Sequence, residues 1–282
     1  MGRVVFATFL PMFSIPEIPV WLGQWVFALF GLIFGSFFNV LIYRVPRDLP
    51  IAFPASHCPH CMSPIRLRHN IPVLGWLMLR GRCKDCRALI SIQYPIVEAI
   101  TGILAFCAVR LVHPDASELI DFARVLPVFW MMITLVPIAA VDFPYQLIPD
   151  TVPVGGLLIG VAVSFLPGGM DWQQSLIGIA AAGGGLFLFA FIMGKLLKRD
   201  AMGLGDVKLL AAFGAMMGWG HSVAAVIAAS FLALVVMVPW RLIRKESNHE
   251  PLAFGPFIGV MGPVMFLWGD RIIAWYWNLL RF

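Results

Sequence analysis

The stretch WLGQWVFALFGLIFGSFFNVLIY, residues 21–43, contains no Asp, Glu, Lys or Arg. A helix crosses a bilayer core of roughly 30 Å with about 20 mostly apolar residues. The stretch therefore reads as a membrane-spanning helix. Further apolar runs follow at Pro95 to Val112, Phe122 to Val141, Thr151 to Leu166, Ser175 to Leu197, His221 to Trp240 and Ala253 to Leu280. A shorter run, Val207 to Gly218, ends at Gly-Trp-Gly. Counting it gives about eight transmembrane helices, so the expected fold is an all-α polytopic membrane protein. Pro11, Pro16 and Pro19 argue against a cleaved signal peptide behind Arg3, and residues 1–20 read as part of the mature chain.

Composition agrees. The chain has 282 residues, 60% of them hydrophobic and 12% charged, whereas a soluble domain carries roughly 25% charge. The formal charge of +5 is not a nucleic-acid signature. The basic residues gather in three stretches between apolar runs: Arg44 to Tyr94, Lys195 to Lys208 and Arg241 to Glu250. The alternate loops, His113 to Asp121 and Pro167 to Gln174, hold no Lys or Arg. By the positive-inside rule the basic side is cytoplasmic, and both termini lie outside.

Cys58-Pro-His-Cys61 and Cys83-Lys-Asp-Cys86 form two Cys-x-x-Cys pairs in the first basic stretch. Two-residue spacing lets both thiolates of a pair reach one metal, and two pairs complete a tetrahedral four-thiolate shell. A reducing cytoplasmic loop disfavours disulfides. The expectation is a structural Zn²⁺ on Cys58, Cys61, Cys83 and Cys86, folding a small loop domain after the first helix. His57, His60 and His69 are surplus to a saturated site.

Carboxylates beside membrane spans are costly and therefore informative. The candidates are Glu98, Asp142, Asp150, Asp200 and Asp206. Asp142 ends an apolar run, and Asp206 closes Gly203-Leu204-Gly205-Asp206 at the start of another. The topology puts both on the basic face. Two carboxylates at one depth on different helices can share a proton and a water, as in aspartic proteases. Asp150 follows Pro149 and reads as a helix cap. Lys208 and the direction of each residue's own helix favour the anion at Asp206.

The motifs together resemble the bacterial type IV prepilin peptidases, also called leader peptidase/N-methyltransferases, over nearly the whole chain after residue 30. Gly35-Ser36-Phe37-Phe38-Asn39-Val40 through Arg44-Val45-Pro46 is similar to the family's first-span motif. The cysteine pairs follow, then Tyr94-Pro95 through Glu98. Asp142 with Ile148-Pro149-Asp150, and Gly203 through Leu209, resemble its two aspartate motifs. Phe254-Gly255-Pro256-Phe257 resembles the start of its final helix. Phe143-Pro144 departs from the more polar pattern expected there.

The resemblance implies catalytic Asp142 and Asp206. They would remove the basic leader of prepilins or pseudopilins, for type IV pili or type II secretion, at the cytoplasmic face of the bacterial inner membrane. It also implies N-methylation of the new terminus with S-adenosyl-L-methionine, and assigns that activity to the cysteine loop. Glu98 and Asn39 are the polar candidates there, with helix–helix pairing as their plain reading. The implied division is 1–43 (first helix), 44–94 (four-cysteine zinc-binding domain) and 95–282 (seven-helix peptidase domain). Expected partners are the pilin substrates and membrane lipid, without nucleic acid. The competing readings are a peptidase lacking transferase activity, and an ion- or proton-coupled transporter with a zinc-stabilised loop.

Overall fold

The computed structural model describes residues 18–115, 119–198, 202–244 and 253–280. The candidate Asp200 and the residues before 18 lie outside them. The described residues form helices and no strand: α1 (Val20–Arg44), α2 (Leu74–Met78), α3 (Gln93–Val112), α4 (Phe122–Tyr145), α5 (Thr151–Val163), α6 (Trp172–Gly178), α7 (Gly184–Leu197), α8 (Leu204–Arg244) and α9 (Gly255–Leu280). A π-helical turn, Ile179–Gly183, joins α6 to α7 into one rod.

Six of these segments are long and apolar enough to cross a membrane: Val20–Arg47, Gln93–Val112, Phe122–Tyr145, Trp172–Leu196, Leu204–Ile243 and Gly255–Leu280. The chain is a multi-pass membrane protein. The expected count of about eight differs from six for two physical reasons. Helix α5 has 13 residues, about 20 Å at 1.5 Å per residue, which falls short of a full span. Helix α8 is two helices, 204–217 and 219–244, joined across a kink at Gly218, whose φ of 77° and ψ of 169° are not helical. Only glycine adopts that conformation without strain. The break expected at Gly-Trp-Gly is present, and the two halves count together as one long apolar segment.

Two apolar cores share α4. One gathers Phe38, Leu41, Val109, Val128 and Ile133 from α1, α3 and α4. The other gathers Ile138, Leu209, Phe213, Ile258 and Met265 from α4, α8 and α9. Small residues set the helix spacing. A Cβ at Gly35 would lie 2.7 Å from Glu98 Cα, so α1 and α3 touch backbone to backbone. Elsewhere large side chains such as Trp25, Leu158, Phe189 and Phe231 are exposed, as a surface facing lipid tails requires.

Pro144 does not stop α4 after Asp142. The helix continues to Tyr145, and Gln146 closes it in the left-handed conformation at φ 54°, its N–H bonded to the Asp142 carbonyl. Asp142 therefore lies within the last turn rather than at the helix end.

Candidate functional site

The carboxylates meet where three helices end. Asp142 comes from the last turn of α4 and is 5% exposed. Asp206 comes from the first turn of α8 and is half-buried. They are close enough to act on each other electrostatically. The third contributor is α9. The backbone N–H of Gly255 donates to Asp142 Oδ2 at 2.9 Å. The first N–H groups of a helix have no partner within it, and Pro256 follows at the next position. Asp142 thus satisfies an orphan donor of α9, and its Oδ2 is occupied as an acceptor.

Ile148 seals the junction. A Cβ at Gly205 would lie 3.1 Å from Ile148 Cβ, and one at Gly255 would lie 2.8 Å from Ile148 Cδ1 and 2.9 Å from Asp142 Oδ2. Both glycines are needed for closeness of approach. Phe143 and Phe257 add an edge-to-face contact with centroids 6.4 Å apart.

Asp150 occupies the N-cap position of α5 but makes no capping bond. Its Oδ1 accepts from Lys208 Nζ at 2.6 Å. The pair pins the start of α8 to the start of α5, two residues from Asp206. This removes part of the ground for placing the charge on Asp206, because Lys208 is engaged elsewhere. Asp142, moreover, faces the N-terminus of α9 as well as standing in the last turn of its own helix. The charge assignment drawn from each residue's own helix therefore does not stand.

The four cysteines also converge. Their sulfurs all lie within 4.8 Å of one another, with Cys58–Cys86 at 3.8 Å and Cys61–Cys83 at 3.9 Å. Four sulfurs placed tetrahedrally about 2.3 Å from a zinc ion are about 3.8 Å apart. The two turns are built alike. Cys58 N–H donates to Ser63 O and Met62 N–H to Cys58 O; Cys83 N–H donates to Ala88 O and Arg87 N–H to Cys83 O. Met62 and Arg87, each following the second cysteine of its pair, take φ of 57° and 63°. The Ser63 hydroxyl and backbone hold the Cys61 thiol down at about 6. The backbone N–H groups of Cys86 and Asp85 lower Cys83. Both effects favour the thiolates a metal needs, whereas burial and the neighbouring cysteine side chains push the Cys86 thiol up to about 12. All four cysteines are free of disulfides. The cluster can hold a metal such as zinc.

Glu98 and Asn39 lie together near the module. Glu98 Oε2 accepts from Val73 N–H at 2.7 Å, tying α3 to the loop before α2. Asn39 Nδ2 donates to the carbonyls of Gly35 and Tyr94. Three contributors to these sites were not legible from the chain. They are the Gly255 donor, the Ile148 wedge and the Lys208–Asp150 pair. The Gly-Pro at 255–256 signals a helix start with a free N–H, but its target depends on packing.

Residues 29–112 match the bacterial peptidase A24 N-terminal domain, and residues 128–238 match the type IV leader peptidase family. A prepilin leader peptidase/N-methyltransferase of Dickeya chrysanthemi is 37% identical over 267 residues, covering 84% of this chain and 90% of its own length. Proteins of the same description from Aeromonas hydrophila and Legionella pneumophila are each 32% identical. They cover 91% of this chain and 94% and 95% of their own lengths. No solved structure matches. With its paired aspartates at the α4, α8 and α9 junction and relatives aligned over most of their length, the chain belongs to the type IV leader peptidase family.

Proposed function

We propose that this protein removes the leader of type IV prepilins or pseudopilins and N-methylates the new terminus. The observation that carries the peptidase half is the meeting of Asp142 and Asp206 at helix ends. A substrate helix among the spans would present its cut site there. One carboxylate takes a proton from a water between them as the water oxygen bonds to the scissile carbonyl carbon. The other gives a proton to the leaving nitrogen as the C–N bond breaks. Gly255 holds Asp142 Oδ2, so Oδ1 is the oxygen left to face water. An ion-coupled transporter would place its carboxylates nearer the bilayer midplane, which this helix-end position disfavours.

The site lies on the face that carries the basic loops, which is the cytoplasmic face of the inner membrane by the positive-inside rule. Residues 44–94 form the four-cysteine domain, flanked by the first helix (1–43) and the peptidase helices (95–282). S-adenosyl-L-methionine supplies the methyl group. The test is the N-terminal mass of a prepilin incubated with the full-length chain. Leader loss is expected without the methyl donor, and an added CH₂ only with it. An intact leader overturns the peptidase reading. Cleavage without any CH₂ overturns the transferase half alone.

Cys58, Cys61, Cys83 and Cys86 bind one structural Zn²⁺, because their spacing suits tetrahedral thiolate ligation and leaves no open position. The loop around them has a thin apolar core, so metal binding is folding energy. Cys58→Ser is expected to lose the metal, measured by elemental analysis. It should also open the chain between Arg44 and Gln93 to trypsin. Full zinc content and unchanged resistance in that variant would remove the assignment.

A further inference from the structure

One hydrogen bond fixes how deep the cysteine module sits. Helix α3 has 20 residues, Gln93–Val112, about 30 Å at 1.5 Å per residue. That only just matches a bilayer core of roughly 30 Å, so α3 has no turn to spare outside it. Glu98 stands in the second turn of α3, roughly 8 Å from its start. Its Oε2 accepts from Val73 N–H at 2.7 Å. The side chain leans toward the start of its helix, which recovers part of that depth. Val73 immediately precedes α2. Helix α2 therefore begins within the headgroup layer, which adds roughly 5–7 Å to each side of the core, and not in the water above it.

The two faces of α2 differ. Gly75 is buried against the His69 carbonyl, and Trp76 Nε1 donates to the Ile90 carbonyl at 3.1 Å. Leu74, Leu77 and Met78 share the opposite face, by their spacing of three and four. They are 55%, 55% and 63% exposed. Ile92, just ahead of α3, is exposed as well. A contiguous apolar face left uncovered marks a contact surface.

Charge says what covers it. Arg80 and Arg82 follow α2 directly and are exposed. Between Arg44 and Tyr94 the only acidic residues are Asp48 and Asp85, against eight Lys and Arg. Among the described residues only Arg66 of this stretch has an ion pair, with Asp85 at 3.9 Å. An apolar helix face followed by unpaired cations, at headgroup depth, is the pattern of an interfacial segment on anionic lipid. The basic leader implied for the substrate would be repelled by the same arginines. A second copy of the chain would set Arg80 and Arg82 against their own kind.

We propose that α2 docks the cysteine module on anionic phospholipid of the leaflet it faces. Leu74, Leu77 and Met78 sink among the upper acyl chains, and Arg80 and Arg82 bind the phosphates. The lipid is then the third attachment of the module, beside its two chain connections to α1 and α3.

The test uses the full-length chain in lipid nanodiscs, with trypsin cutting after Arg80 and Arg82 read by mass. Cutting is expected to be roughly tenfold or more slower in discs of equal phosphatidylglycerol and phosphatidylcholine than in discs of phosphatidylcholine alone. In the anionic discs a chain carrying Leu74→Ser with Leu77→Ser should be cut roughly tenfold faster than the parent. Variant and parent carry the same charges, so any pull of the lipid on trypsin cancels between them. Metal content reports whether the module still folds in the variant. Should it fall, the two lipids compared on the parent decide alone. Equal cutting of the parent in both lipids overturns the anionic assignment, and equal cutting of a folded variant and the parent overturns the apolar face. Protection of the detergent-solubilised parent by added prepilin, or by raising its own concentration, gives the surface to the substrate or to a second copy and overturns the proposal as well.

Discussion

Asp142→Ala and Asp206→Ala are each expected to lower the rate of leader removal by roughly 10²–10⁴-fold or more, at equal protein level. The double variant should be little worse than either single one, because groups acting as a unit lose their function together. Asn at either position is the sharper probe. Asp142→Asn can still accept from the Gly255 N–H with its amide oxygen, so the junction of α4 with α9 survives while proton exchange is lost. Asp150→Asn sets the scale for a carboxylate outside the reaction. Its partner Lys208 is exposed, and an exposed pair contributes roughly 0–1 kcal/mol, so a loss within about fivefold is expected. Initial cleavage rates on a gel, normalised to the purified enzyme, read all of these. Cleavage within tenfold of the parent in either Asp142 or Asp206 variant would sink the catalytic pair. A loss at Asp150 equal to that at Asp142 would mean the reaction uses a different pair.

The sequence made the membrane class and the two cysteine turns legible, since each is carried by local pattern. Residues 21–43 need no neighbour to be read as a span. Cys58 through Cys61 and Cys83 through Cys86 carry their geometry in their spacing. Asp142 and Asp206 were legible as candidates because charge is rare in apolar surroundings. What completes their site is not local. Gly255 lies 113 residues from Asp142, and its N–H finds that carboxylate only because α9 packs on α4. Lys208 is two residues from Asp206 in sequence yet bonds Asp150, 58 residues away. Proximity along the chain pointed to the wrong partner because α5 and α8 begin side by side. Helix boundaries were legible where a glycine marks them: Gly218 breaks α8 between the two expected runs. The length of α5 was not, because the short helix leans on α8 instead of spanning by itself.

That reliance of α5 and α6 on α8 gives a prediction in which the sign itself discriminates. In an isolated helix Gly→Ala is favourable by roughly 1 kcal/mol. Gly184 has nothing within 4 Å of an added Cβ, so Gly184→Ala is expected to be neutral or mildly stabilising. At Gly178 an added Cβ would run into the Gly214 carbonyl, and at Gly214 it would run into the Gly178 carbonyl. Helices α6 and α8 thus touch through backbone, where no side chain can rotate away. Gly178→Ala should therefore cost at least about 1–3 kcal/mol. The midpoint of heat-induced aggregation in detergent should drop by roughly 5–10 °C. Because the relief must come from moving α8, the strain also travels to Asp206 in its first turn. Cleavage should fall in Gly178→Ala although no reacting group is altered, and it should hold in Gly184→Ala. Equal midpoints for the two variants would mean that α6 and α8 are not in backbone contact, and the placement of Asp206 against α4 would lose its mechanical support.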